Sequence, residues 1–275
     1  FGAVFVSLLL YFKGIPAFVA LITPHVPVSW ENQLGQTVTE YIAPPDKLCL
    51  DPDGNAAIGD IVSTLTSSLS DQPYTFRVYV VDDPMFNALA APGGHIIIFR
   101  SLLEESANAE ELAGVLAHEI QHVLKRHSTK AMLEQASTAV LVSAVAGDPS
   151  GAVALAVEGA VTLGRLNHSR ESEAEADEEG LKILLEAGIN PEGMIAFFEK
   201  VRDMGGEIPE VLKFLSTHPD TSDRIRDLRS AVRGSKREFT PLPQNDDWES
   251  IRSMCDVSDE ADGTSGDDPA DSSTG

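Results

Sequence analysis

The segment 118–122, which reads HEIQH, constrains the fold more than any other part of this chain. Residues four apart in an α-helix lie one turn apart on the same face, so the imidazoles of His118 and His122 can reach one metal ion. Glu119 projects to an adjacent position, where a carboxylate can act on water beside that ion. Apolar residues surround the histidines and indicate a buried helix. The sequence therefore predicts a buried helix that carries a metal site.

A metal site with an open position for water needs a third protein ligand. One known extension of the motif would place Gly at position 125 and His at position 128. This chain has Lys125 and Ser128 instead, and His127 is one residue short of the required spacing. That class of site is therefore excluded. We expect His127 to be a structural partner at the helix end, where a cation complements the helix dipole.

The acidic segment 167–180 can supply the third ligand from a second helix. Glu173 and Asp177 are four residues apart and share one helix face, so one can bind the metal while the other orients a ligand histidine. Glu171 and Glu175 lie about 160° from that face by helical rotation and point elsewhere. The spacing does not decide which of the two acids is the ligand.

The first 22 residues are almost wholly apolar, with Lys13 and Pro16 as interruptions. This length is about the ~20 residues that a membrane-spanning helix needs, and no signal-peptidase-like site follows it. We predict a membrane anchor at 1–22, with an interfacial or buried helix as the alternative. A Pro-rich connector is expected at 23–55.

The charge and the two cysteines bound the partners and the compartment. A net charge of -23 excludes nucleic acid as a partner, because the chain repels phosphate. Residues 256–275 lack basic residues and are predicted to be a disordered acidic tail. Cys49 and Cys255 lie at opposite ends of the predicted domain, which favours a disulfide and an oxidising compartment. The alternative is two unrelated buried thiols.

Periodicity predicts the fold class. Residues 75–81 alternate as a strand does, and 95–99 form a second apolar strand after Pro92. From residue 101 onward the pattern is helical, with Asn108 as a helix cap. We therefore expect an α+β domain over 56–255, mostly helical, with a small antiparallel sheet beside the metal-binding helix.

Four blocks of the sequence, in this order, resemble a known family. The family is that of the membrane-associated zinc metallopeptidases, which includes HtpX, the CAAX prenyl endopeptidases, a mitochondrial inner-membrane protease and the periplasmic protease BepA. The resemblance covers roughly residues 75–233. The blocks are NALAAPGG at 87–94, HEIQHVLKRH at 118–127, SRESEAEAD at 169–177, and STHP at 216–219 followed by Arg224 and Ile225.

The resemblance implies a zincin-type fold and one Zn²⁺ per chain. It implies that Glu173 is the third metal ligand beside His118 and His122, and that Asp177 orients a ligand. It also implies that the strand after Pro92 is the sheet edge that binds an extended substrate backbone. The implied substrate contacts are Asn87, Gly94, His95, Ile96 and Ile97. Leu89 replaces the family's usual aromatic residue.

The implied activity is zinc-dependent hydrolysis of peptide bonds, with Glu119 as the base. One N-terminal apolar segment resembles the BepA-like and mitochondrial branches, so prenylated substrates are not expected. We expect unfolded or extended polypeptide substrates, a role in quality control of misfolded envelope proteins, and a catalytic domain in the periplasm or an equivalent oxidising compartment. The alternative is a chaperone-like or scaffold protein that uses the same fold without proteolysis.

His218 is a further candidate catalytic residue. It precedes a proline, which keeps its backbone out of a helix and presents its ring from a loop. Such a ring can donate a hydrogen bond to the oxyanion of the scissile carbonyl. The resemblance to BepA suggests instead a fourth metal ligand that holds the enzyme latent. A third possibility is a histidine that only caps a neighbouring helix.

Overall fold

The computed structural model describes residues 2–69, 72–146, 168–204, 214, 217–218, 221–233 and 238–256. Residues 257–275, nearly all of the predicted tail, lie outside this description. The helices are α1 Gly2–Leu9, α2 Ile15–Ile22, α3 Val28–Ile42, α4 Pro52–Thr66, α5 Arg100–Glu105, α6 Ala109–Leu124, α7 His127–Ala146, α8 Arg170–Glu186, α9 Glu192–Met204, α10 Thr221–Val232 and α11 Trp248–Arg252. The strands are β1 Arg77–Val81, β2 Ala88–Ala91 and β3 His95–Phe99.

The predicted N-terminal anchor is helical throughout its described part. A π-helical turn, Leu10–Gly14, joins α1 to α2, and a 3-10 turn, Thr23–His25, ends the run. The stretch Val4–His25 has the length and composition to cross a membrane, and nearly all of it is exposed. Core helices of the same composition are mostly buried, so this exposure favours a lipid-facing role.

The three strands form a mixed sheet in the order β1-β3-β2. Strand β3 pairs in parallel with β1 and antiparallel with β2. The expectation of an antiparallel sheet was therefore wrong for β1. The expectation that β3 is the sheet edge was also wrong, because neighbours on both sides take up its backbone hydrogen bonds. Strand addition at β3 is excluded for this reason, and among the described residues β1 and β2 are the outer strands.

Helix α3 lies within the predicted connector, 23–55, yet it packs into the domain. Its Glu31 is buried and accepts hydrogen bonds from the Tyr74 hydroxyl at 2.8 Å and the Thr129 hydroxyl at 2.6 Å. The turn at Pro92–Gly94 lies against the same helix, with Gly93 at a φ of 78°. A side chain at Gly93 would collide with the α3 backbone. The glycines after Pro92 thus allow the turn before β3 to contact α3.

Helix α6 occupies the centre of the main hydrophobic core. It contacts α8 and α9 most extensively, and also α4 and the sheet. Gly114 faces α9 so closely that a Cβ there would lie 2.5 Å from the Met194 Cα. Side chains of α4, α5 and α11 complete the core around it. This arrangement keeps the HEIQH segment away from bulk solvent.

A disulfide between Cys49 and Cys255 closes a loop with a sequence separation of 206. Both cysteines are buried in the main core, beside Trp248 and Ile251 of α11. The bond therefore attaches the C-terminal helix to the start of the domain, as predicted from the sequence.

We predict that replacing both cysteines by serine lowers the free energy of unfolding. In the chain-entropy account the loss is about 5 kcal/mol for a loop this long. Urea unfolding of the detergent-solubilised chain measures it, and the matched control is a Ser253→Ala variant next to the bond. An unchanged midpoint in the double variant contradicts a stabilising role for the disulfide.

Candidate active site

The HEIQH segment is helical for local reasons as well as tertiary ones. Asn108 caps α6 by accepting a hydrogen bond from the Glu111 amide at 2.9 Å, and the Glu111 carboxylate accepts one from the Ala107 amide at 2.9 Å. These bonds satisfy amides that the first turn leaves without partners. The predicted cap is confirmed, and it fixes where the helix that carries His118 and His122 begins.

The two imidazoles converge as their spacing predicts. His118 and His122 are both buried, and their Nε2 atoms lie 2.9 Å apart. Helix α8 approaches this face of α6 at Gly180, where a Cβ would lie 3.3 Å from the Ala117 backbone. The absence of a side chain at Gly180 lets the acids of α8 reach the histidines.

Glu173 and Asp177 of α8 contact different sides of the histidine pair. The carboxylate of Glu173 lies 3.5 Å from Nε2 of His118 and 3.3 Å from Nε2 of His122. Asp177 instead accepts a hydrogen bond from Nδ1 of His118 at 2.9 Å. Donor atoms of His118, His122, Glu173 and His218 all lie within 4.8 Å of one another.

This donor set fits a divalent metal ion. Asp177 takes the Nδ1 position of His118, so the Nε2 atom turns its lone pair toward Glu173. Two imidazole nitrogens and a carboxylate meeting in a dry site need a cation or a proton between them. Oε1 of Glu119 is buried and accepts no hydrogen bond from the residues that the structure describes. Nitrogen and oxygen donors of this kind are those that zinc takes in hydrolytic sites.

Burial and ion pairing shift the pKa values of this cluster in opposite directions. Burial raises the pKa of Glu119, and burial lowers the pKa of His122 well below its usual value. Burial also opposes ionisation of Glu173, but His218 and His118 outweigh it and hold the Glu173 pKa well below its usual range. Burial lowers the pKa of His118, yet Glu173 and Asp177 raise it to about 9. A metal ion at Nε2 would compete with that proton.

Arg224 of α10 completes the site, and the sequence patterns assigned it no role. It is buried, and its guanidinium contacts Asp177 at 2.6 and 2.8 Å and Glu173 at 2.8 Å. Its Cζ lies 4.4 Å from the centre of the Phe198 ring. Burial alone would raise the pKa of Asp177, but Arg224 holds that pKa below its usual value. Its place in the fourth block was the one available signal.

His218 follows a helical residue, Thr217, and its amide donates to the Phe214 carbonyl at 2.8 Å. Its ring is buried, with Nδ1 at 3.1 Å from Glu173 and 3.3 Å from Nε2 of His118. Its Nε2 lies 3.7 Å from Oε1 of Glu119. The ring therefore faces the candidate metal position and the predicted base at the same time.

Two other histidines surround His122. His127 was expected to be a structural partner at a helix end, where a cation complements the dipole. It is the first residue of α7, and burial lowers its pKa, which disfavours the cation. Its ring is buried and lies between His122 and Glu175. His168, which the sequence patterns did not single out, stacks on His122 with ring centres 3.9 Å apart. Burial lowers the pKa of His168 to about 3, so its ring is neutral.

Of the predicted substrate contacts, Ile97 lines the same cleft as Glu119 and His218. His95 is buried and pairs with Asn32, and Gly94 lies against the Thr75 backbone. Asn87 is buried, and its carbonyl accepts a hydrogen bond from the Phe99 amide across the sheet. The backbones of His95, Ile96 and Ile97 pair with β1 on one side and β2 on the other.

A cleft joins Glu119 and His218 to β2, most of whose residues are buried. Leu89, Ala90 and Ala91 of that strand line it, and Ile97 contributes a side chain. The hydroxyl of Ser128 in α7 donates to the Ala90 carbonyl. The edge strand beside the cluster is thus β2.

The comparisons with known proteins agree with this geometry. Residues 53–232 match peptidase family M48. The beta-barrel assembly-enhancing protease of Escherichia coli is 29% identical over 213 residues, which are 74% of this chain and 44% of that protein. Mitochondrial metalloendopeptidase OMA1 of Saccharomyces cerevisiae is 37% identical over 164 residues, 56% of this chain and 46% of that protein.

A third relative, metalloprotease YcaL of Escherichia coli, is 27% identical over 185 residues, which are 65% of this chain and 70% of that protein. The chain spans less than half the length of the other two relatives. The family match includes both helices of the metal cluster and most of the described domain. The chain therefore belongs to peptidase family M48, a family of metallopeptidases.

Proposed function

We propose that this chain is a zinc endopeptidase that hydrolyses peptide bonds of unfolded or extended polypeptides. One observation carries the proposal: Glu119 places a buried carboxylate oxygen without a described hydrogen-bond partner beside the donor cluster. Leaving such an oxygen without a partner is costly in a structural role. A carboxylate oxygen without a partner is useful where it has to accept a proton from water.

In this proposal His118, His122 and Glu173 hold one Zn²⁺. When bound, zinc supplies a Lewis acid that polarises the scissile carbonyl and makes water more acidic. Glu119 accepts the proton of the attacking water and delivers it to the leaving amine. Burial raises the Glu119 pKa, which suits a carboxylate that has to carry that proton. Asp177 keeps the ring of His118 oriented through Nδ1.

Strand β2, an outer strand of the sheet beside the cleft, is the proposed substrate-binding strand. An extended peptide would add to Ala88–Ala91 by main-chain hydrogen bonds, which tolerate many side chains. The cleft beside this strand leads to Glu119 and His218. Low sequence selectivity of this kind suits degradation of misfolded proteins.

We further propose that the chain is membrane-anchored, with its catalytic domain in the periplasm or another oxidising compartment. The exposed apolar helix Val4–His25 supports the anchor, and the Cys49–Cys255 disulfide supports the compartment. Two relatives are named for beta-barrel assembly and for mitochondria. Quality control of misfolded envelope or membrane-associated proteins fits both features.

We assign His218 to a latent state of the site. His218 is one of the four residues of the donor cluster, which suits a fourth ligand that takes the place of water. The alternative role is a hydrogen bond from the ring to the oxyanion. Both roles place His218 in the catalytic machinery, and they differ in the sign of its effect on the rate.

The proposed base and the proposed ligand are separable by mutation. We predict that Glu119→Gln abolishes casein cleavage but keeps zinc, because glutamine preserves the shape and loses the base. Glu173→Gln is expected to weaken zinc binding instead. Bound zinc is measured by mass spectrometry of the metal, and cleavage by gel. Glu171→Gln, an exposed position on the same helix, is the control and should match the wild type.

Removing zinc with a chelator and adding it back tests the proposed zinc dependence in the wild-type chain. Cleavage should stop on chelation and recover with added zinc. Loss of zinc in Glu119→Gln, or its retention in Glu173→Gln, contradicts the ligand assignment. A zinc-loaded wild type that suppresses casein aggregation without cutting it establishes the chaperone-like alternative.

We predict that His218→Ala raises basal casein cleavage severalfold, because it frees the position that water has to occupy. Initial rates at equal zinc loading measure this, and His25→Ala, outside the site, is the control. A fall of about ten- to a thousand-fold in turnover would contradict latency and establish the oxyanion role. An unchanged rate would return His218 to a structural role.

A further inference from the structure

The two histidines of α6 are supported in different ways. Nδ1 of His118 bonds directly to the carboxylate of Asp177. Nδ1 of His122 faces another imidazole, with Nδ1 of His127 at 2.9 Å. The opposite nitrogen of His127, Nε2, lies 3.2 Å from the Glu175 carboxylate. His122 is thus linked to a carboxylate through an intervening ring.

The position of the proton on each ring decides which nitrogen donates and which accepts in these contacts. If zinc binds as in the proposed function, on which this inference rests, His122 holds it through Nε2, the atom that faces Glu173. A neutral imidazole carries one N–H, so the proton of His122 has to sit on Nδ1. His127 offers Nδ1 as the acceptor at hydrogen-bond distance, and therefore carries its own proton on Nε2. That proton points at the Glu175 carboxylate, which completes a consistent set of donors and acceptors.

We propose that His127 is a positioning residue that holds His122 in the tautomer and orientation that bind zinc, and that Glu175 holds His127 in turn. The Glu175 side chain is 45% exposed, so the contacts run from the buried site to the surface. Lys125 lies 3.0 Å from the other oxygen of Glu175 and keeps that carboxylate beside the ring. Glu175 thus contributes to the site without binding the metal.

Chain geometry brings His127 to this place. Arg126 adopts a left-handed φ of 59°, which separates α6 from α7 and lets the first residue of α7 turn back toward α6. The ring of His127 is buried against His122 with ring centres 5.0 Å apart. An apolar ring would fill the same volume but would leave the Nδ1–H of His122 buried without an acceptor.

This contrast separates an acceptor role from a packing role. Phenylalanine at position 127 preserves the ring and removes the acceptor, whereas asparagine loses the ring and keeps an oxygen near the Nδ1 position. If His127 acts as the acceptor, His127→Phe should weaken zinc affinity by about ten- to a hundred-fold, and His127→Asn should stay within a few-fold of the wild type. If His127 only packs, the order of the two variants reverses.

The experiment measures the zinc dissociation constant of the full chain in detergent, by competition with a chromophoric chelator. The variants are His127→Phe, His127→Asn and Glu175→Ala, with Glu171→Ala as the control on the same helix. Glu175→Ala should weaken zinc affinity only a few-fold, because water can replace an exposed carboxylate. Wild-type affinity in His127→Phe, or equal weakening in both His127 variants, overturns the proposal.

A second measurement needs no variant. Nitrogen-15 spectra of the zinc-loaded wild type, labelled at histidine, report which ring nitrogen carries each proton. We expect the proton of His127 on Nε2 and that of His122 on Nδ1, and a proton on Nδ1 of His127 overturns the proposal even if His127→Phe fails to fold.

Casein cleavage by the same samples separates this inference from the proposed function. If the zinc affinities of the variants follow the expected order but casein is not cut, the proposed function is wrong and the positioning role stands. If casein is cut and the ranking fails, only the positioning role is lost. A wild type that binds no zinc overturns both.

Discussion

Burial of the titratable cluster between α6 and α8 is the constraint on which the rest of the structure depends. His118, His122, Glu173 and Asp177 all lie inside the protein, where an uncompensated charge is unstable. Arg224 meets both acids at once, so the cluster is held by a buried ion pair. Removing one partner of such a pair typically costs about 3–5 kcal/mol.

The helices around the cluster can meet because small residues lie at the crossings. Gly114 admits α9 and Gly180 admits α8, so α6 is enclosed on two sides. Close approach excludes water, and the electrostatic contacts of the cluster gain strength in the low dielectric that results. The same enclosure explains why burial lowers the His122 pKa and raises that of Glu119. The close approach of the helices therefore accounts both for the packing around α6 and for the shifted pKa values of the cluster.

The corner between α6 and α7 links the site to the N-terminal helix. Arg126 donates to the carbonyls of Thr23 at 2.8 Å and Val26 at 2.9 Å, at the end of the apolar segment. Its guanidinium also lies 3.4 Å from Glu31 of α3. One residue of this corner thus contacts the proposed anchor, and its neighbour, His127, contacts a proposed zinc ligand. The proposed anchor is joined to the domain by specific contacts beside the cluster.

Local patterns were sufficient for the features that depend on short-range geometry. The spacing of His118 and His122, the cap at Asn108 and the apolar helix at the N-terminus all follow from helical periodicity. Spacing also put Glu173 and Asp177 on one face, although only the family resemblance distinguished the ligand from its supporting acid. The cysteine pairing followed from having just two cysteines at opposite ends of the domain.

Tertiary structure alone decided the order of the strands and the places of Arg224 and His127. Strand order depends on pairing between distant segments, and a strand reads the same in sequence whether it lies at an edge or in the middle. Arg224 is 47 residues from Asp177 and reaches it only through packing of α10 on α8. His127 looks like an end-of-helix cation until the left-handed Arg126 turns it into the core. Periodicity determines which face a residue occupies, and only long-range packing determines what that face meets.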